Sequence, residues 1–168
     1  MRASEGQMDT SSPNSAKEFQ LEYSKITENI YLGSDLCSPQ VCKLHEPEFE
    51  KLGVTVEISL TAELKDTPTN NVVLYSWIPV KDEEAPSVDQ LDLGSEIINK
   101  AVIQGRKVYL HCRLGHGRSP TMLAAYLIRF QNMTVVDALN FIKEKRAEIH
   151  PNDKQMRALS IYAKKVKS

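Results

Sequence analysis

Apolar positions show no period at the start of the chain: "MRASEGQMDTSSPNSAKEF" is rich in Ser, Gly, Pro and charge, so residues 1–22 read as a disordered tail. From Ile26 the pattern changes. "ITENIYLG" predicts a short strand or hairpin, and Gly53 closes a brief helical piece over Glu46 to Leu52. In "VTVEISL", Val54, Val56, Ile58 and Leu60 alternate with polar neighbours, the period of a strand with one better-buried face. "NVVLYSWIPV" is a longer β-branched and aromatic run and predicts a central strand, with Trp77 in the core or in a pocket wall.

Helical periods dominate thereafter. Ser87 with Gln90 forms a capping box, followed by an apolar face of Leu91, Ile97, Ile98, Ala101 and Val102 that runs to Gly105. "KVYLH" is the next strand. "TMLAAYLIRF" is apolar nearly all round, which places its helix in the middle of the domain. Thr134 with Asp137 starts a further helix carrying Val135, Ala138, Leu139 and Ile142. His150 falls in the turn before a last helix that Asn152 caps, with Met156, Leu159, Ala163 and Val166 facing inward. Strands alternating with helices predict the α/β class: one domain over residues 23–168, with a central, mostly parallel twisted sheet flanked by helices.

Composition narrows the function. A length of 168 residues suits one domain, and 21 basic against 22 acidic residues leave a formal charge of −1. There is thus no electrostatic case for nucleic acid or an anionic membrane as partner, and any anion site must be local. No run approaches the roughly 20 apolar residues of a membrane span. Three widely spaced cysteines and no apolar leader suggest neither a disulfide scaffold nor secretion, and Arg2 stands where myristoylation needs glycine. The expectation is a soluble, cytoplasmic, monomeric protein without a cofactor. Cys37, Cys42 and His45 lack a fourth ligand, so no metal site is expected, while a redox disulfide from Cys37 or Cys42 to Cys112 is left open.

The chemistry lies in "HCRLGHGRSP", His111 to Pro120, between a strand and the start of a helix. In an α/β sheet ligands bind beyond the carboxyl ends of strands, where a helix start offers unpaired N–H groups. Gly115 and Gly117 open backbone angles closed to other residues, so the amides of Arg113, Leu114, Gly115, His116, Gly117 and Arg118 can converge on one tetrahedral anion. Pro120 fits the first helical turn. Walker and dinucleotide spacings are absent; the loop holds a nucleophile instead. Cys112 at the base of such a ring is favoured as thiolate by the dipole and by Arg118, whose planar fork would grip two phosphate oxygens. The Ser119 hydroxyl can steady the thiolate as leaving group. His111 is expected to order the loop rather than act as a base, since a preformed thiolate needs none.

His-Cys-x5-Arg-Ser/Thr after a strand resembles the signature of the cysteine-dependent protein tyrosine phosphatases, and the order of motifs is similar to the small, atypical dual-specificity type. The resemblance covers roughly Tyr23 to Ser168, from "ITENIYLGS" to "HPNDKQMRALSIY", though a Gly-Phe usual between Asn and Gln is missing. It implies an aspartate that protonates the leaving oxygen. "IPVKD" matches the family's stretch and places Asp82 in that role, 30 residues before Cys112, with Glu83 and Glu84 as neighbouring alternatives.

The expected activity is hydrolysis of phosphotyrosine, and of phosphoserine and phosphothreonine, in a protein substrate through a phospho-cysteine intermediate. The loop is mixed: Gly117 resembles the tyrosine-specific branch and Ser119-Pro120 the dual-specificity one. Arg113 and His116 stand where phosphoinositide phosphatases of the same fold place lysines, so a non-protein phosphate ester is the alternative substrate, and a weakly active phospho-binding module the alternative class. Messenger-RNA 5′-triphosphatases are more distant, since no basic, aromatic-rich stripe is present.

Overall fold

Val54–Thr61 and Lys107–His111 are buried along nearly their whole length and pair with each other inside the sheet on which the rest is hung. The structure is a computed structural model that describes residues 22–35, 46–65 and 67–168. In chain order the elements are β1 (Tyr23–Lys25), β2 (Ile30–Gly33), α1 (Glu46–Leu52), β3 (Val54–Thr61), β4 (Leu74–Val80), α2 (Val88–Ile103), β5 (Lys107–His111), α3 (Arg118–Phe130), α4 (Val135–Lys145) and α5 (Asp153–Lys167). The tail up to Leu21 and the set Cys37, Cys42 and His45 lie outside the described residues.

The sheet order is β1-β2-β5-β3-β4, antiparallel only between β1 and β2. This is the mostly parallel α/β sheet expected from the sequence. β5 sits between β2 and β3, so the strand that feeds the Cys112 loop is held on both sides. Side chains alternate across β5: Val108 and Leu110 join the large core under α2, α3, α4 and α5, while Tyr109 joins Tyr31, Phe49 and Val54 on the opposite face. α3 is the central helix, buried from Arg118 through Ile128, as its all-round apolar sequence requires. The caps at Ser87, Thr134 and Asn152 all form, two of them as reciprocal capping boxes.

The segment "NVVLYSWIPV" differs from expectation. Its strand, β4, lies at the edge of the sheet, and only Ile78 and Val80 are buried. Pro79 supplies the physical reason, because proline has no N–H for a second ladder and is tolerated on an edge strand. Trp77 is accordingly neither core nor pocket wall: it is 41% exposed, donates Nε1–H to the Thr61 carbonyl at 2.8 Å and lies under Lys65 Nζ. Among the described residues no helix is long and apolar enough to cross a membrane.

Candidate active site

The loop from Cys112 to Gly117 binds its own carbonyls to the surrounding scaffold. The Arg113 carbonyl accepts from Asp35 N (3.0 Å), Leu114 from Arg146 Nη2 (3.0 Å), Gly115 from Arg146 Nε (3.1 Å), His116 from His150 N (2.8 Å), and Gly117 from the Thr121 amide and hydroxyl (3.0 and 2.7 Å). Across a trans peptide the carbonyl of one residue and the N–H of the next point opposite ways. Five carbonyls drawn outward therefore turn the amides of residues 114–118 toward the inside of the loop, and the dipole of α3 adds to them at its start. This is a cradle for a tetrahedral anion.

Gly115 makes the turn possible. Its φ is +72°, and a Cβ there would stand 2.4 Å from the Gly33 carbonyl oxygen. Gly117 has φ −122° and ψ −72°, and a Cβ there would meet the Gln155 amide at 2.9 Å.

At the base of the cradle Cys112 is 3% exposed. Burial alone pushes its thiol up; the Ser119 hydroxyl at 3.3 Å, the Ser119 amide, the Arg118 charge and the Gly115 amide outweigh it, and the net shift is below the usual thiol value. Arg118 is buried at the first turn of α3. Its Nη1 donates to both carboxylate oxygens of Glu63 (2.9 and 2.8 Å) and to the Val80 carbonyl (2.8 Å), and its Nη2 lies 3.1 Å from Asp82 Oδ1. Glu63 is partly buried, which raises its carboxyl, but the Arg118 hydrogen bonds and charge hold it below the ordinary glutamate value.

One cavity of about 260 Å³ is lined by Cys112, Arg118, Asp82, Glu83, Gln155 and the loop's outer residues. The structure thus brings Cys112, Arg118 and Asp82 to one place. Ser119 bonds the thiol, Leu114 is exposed, and Arg113, His116 and His150 also line the cavity. The rings of His116 and His150 are 5.1 Å apart, and burial followed by the His150 and Arg146 charges lowers the His116 value. Glu84 points away, paired with Lys154. His111 lies behind the loop, fully buried, with Nε2 hydrogen-bonded to Glu57 Oε1 at 3.1 Å.

Three residues of this arrangement, Glu57, Glu63 and Arg146, escaped the sequence reading, and Gln155 entered it only as part of the closing "HPNDKQMRALSIY" resemblance, with no role. All four are distant in sequence from the Cys112 loop. For Glu57 a signal existed: a glutamate in mid-strand of an otherwise buried run needs a buried partner.

Residues 30–165 match the family model for the dual specificity phosphatase catalytic domain. Tyrosine-protein phosphatase vhp-1 of Caenorhabditis elegans is 33% identical over 129 residues, covering 76% of this chain and 19% of that protein. Phosphatidylglycerophosphate phosphatase PTPMT2 of Arabidopsis thaliana is 31% identical over 118 residues, covering 66% of this chain and 52% of that protein. The chain therefore spans about a fifth and about half of these two relatives. The crystal structure of human DUSP28 superposes with a TM-score of 0.75 at 20% identity, covering 87% of this chain and 95% of that one, a likeness of fold.

Proposed function

Since this chain belongs to the dual specificity phosphatase catalytic-domain family, we propose that it hydrolyses phosphate monoesters on proteins, at tyrosine and at serine and threonine, by two displacements at Cys112. The Cys112 thiolate attacks phosphorus, the bond from phosphorus to the ester oxygen breaks, and Asp82 gives that oxygen its proton. Water then attacks the phospho-cysteine, its proton passes to the Asp82 carboxylate, and sulfur leaves as thiolate toward the Ser119 hydroxyl. Arg118 and the loop amides hold the equatorial oxygens throughout. The observation that carries this reading is a depressed thiol at the base of an amide cradle, in the same cavity as Arg118 and Asp82.

A second reading has support of its own. Arg113, His116 and His150 line the same cavity as Cys112 and could meet a second anionic group, and one relative is named as a phosphatase of phosphatidylglycerophosphate. Phosphate release from a phosphotyrosine peptide and from a short-chain phosphoinositide, with wild type and Cys112→Ser side by side and a chelator present, separates the two. Turnover of the peptide by wild type alone is the expected result, unchanged by the chelator. Turnover confined to the lipid replaces the protein substrate. Silence on both, with tight binding of the phosphopeptide, leaves a binding module.

A further inference from the structure

Asp82 is 63% exposed at its side chain and faces Arg118 Nη2 at 3.1 Å, a group that a substrate phosphate would engage, so its own packing cannot hold it over the cavity once an ester is bound. Its loop must do so. Glu83 in that loop has φ +62°, a conformation a glutamate adopts at some strain, and strain of this kind persists only where surrounding contacts impose it. The Asp82 amide donates to Glu63 Oε1 (2.8 Å), and Glu84 N closes a turn onto the Lys81 carbonyl (3.1 Å). The other ties come from the first turn of α5 and its cap. Asn152 Nδ2 donates to the Glu83 carbonyl (2.8 Å), Lys154 pairs with the Glu84 carboxylate, and Gln155 Nε2 donates to the Glu84 carbonyl (3.1 Å).

Gln155 differs from the other two. It is 2% exposed, its Oε1 accepts from Asn152 N at 2.9 Å in the capping box, and its amide packs against Gly117 so closely that no Cβ fits between them. One side chain thus touches the start of α5, the acid loop and the phosphate loop. A buried primary amide with both ends bonded is rigid, because either bond lost leaves an unpaired polar group in the interior.

We propose that Gln155 is a positioning residue for proton transfer: its side-chain amide fastens the Asp82 loop to the phosphate loop, so that Asp82 meets the leaving oxygen of whatever ester Cys112 attacks. This role rests on the assignment of Asp82 as the acid. Lys154 and Asn152 assist from the solvent side, where an exposed ion pair contributes little by itself.

The test compares an aryl ester with a good leaving group, p-nitrophenyl phosphate, with a phosphoserine peptide whose alkoxide needs the proton. Gln155→Met removes both hydrogen bonds at similar volume. Gln155→Glu keeps the oxygen that accepts from Asn152 N, so the cap of α5 survives, but has no proton for the Glu84 carbonyl. Its added charge is absent from Gln155→Met, so a loss shared by the two variants belongs to the missing hydrogen bond. Both variants are expected to lower kcat on the alkyl ester about tenfold relative to the aryl ester, a part of the roughly 10² to 10⁴ that a general acid contributes. Gln155→Met placed on Asp82→Asn should cause no further alkyl-selective loss, because one step cannot be lost twice. Equal losses on the two esters, or an additive loss in the double variant, would reduce Gln155 to packing and overturn the proposal. An unskewed ratio in Asp82→Asn alone overturns the acid assignment and this role with it, whereas a skew there and none in the Gln155 variants overturns this role only.

Discussion

Cys112 shows how a buried thiol is held below its usual value. Burial opposes the charge, and the Ser119 hydroxyl and amide, Arg118 and the Gly115 amide together reverse that. A thiol held below its usual value of about 8.5 reacts with iodoacetamide at a rate that levels off below that pH. Ser119→Ala should move the midpoint of the alkylation profile upward, since the hydroxyl is the largest contribution that lowers it. An unmoved midpoint would mean that the hydroxyl does not bond the thiolate. Cys112, Ser119 and Arg118 were legible from sequence because one loop carries all three within eight residues at a spacing with no packing rationale. Glu63 was not, because a lone glutamate after a strand looks like any solvated carboxylate until the Arg118 fork is seen against it.

Among the elements, the loop between β5 and α3 depends on neighbours that sequence order hides. Arg146 follows α4 and is buried with its guanidinium on the Leu114 and Gly115 carbonyls, so a helix end remote in sequence holds the cradle open. Gly115 stands against the Gly33 carbonyl at the end of β2. Gly115→Ala must strain both the left-handed backbone and that contact, and is expected to lower stability by about 1–3 kcal/mol, read from urea unfolding, with loss of phosphatase activity. A stable and active variant would show that the loop has room the geometry denies it. β4 teaches the complementary lesson: its β-branched run reads as a central strand, and Pro79 alone marks it as an edge.

Over the whole molecule, the ion pair of Arg118 with Glu63 ties the loop after β3 to the buried start of α3, and so joins sheet, site and central helix. The Glu63 carboxyl lies below its ordinary value in the folded protein. Its contribution to stability is therefore fully present above the unfolded glutamate value of about 4.3 and is lost as pH falls through the lower folded value. Thermal unfolding followed from pH 7 to pH 3 should show this as a fall in Tm that is shallower in Glu63→Gln, whose amide cannot be protonated there. An equally steep fall in both proteins would assign the acid sensitivity to other carboxylates.

The sequence by itself determined the class of fold, the helix caps, the phosphate loop and the aspartate that the structure places beside it. The class, the caps and the loop follow from periods and spacings within one element or one turn, where near neighbours in the chain are near neighbours in space, whereas Asp82 was picked out by the likeness of "IPVKD" to the family's stretch. Only the tertiary structure decided the order of the strands, the exposure of Trp77, and the supporting set of Glu57, Glu63, Arg146 and Gln155. Those are contacts between elements far apart in the chain, and no local rule of residue spacing encodes which charged or amide side chain a folded sheet will bring beneath its own active loop.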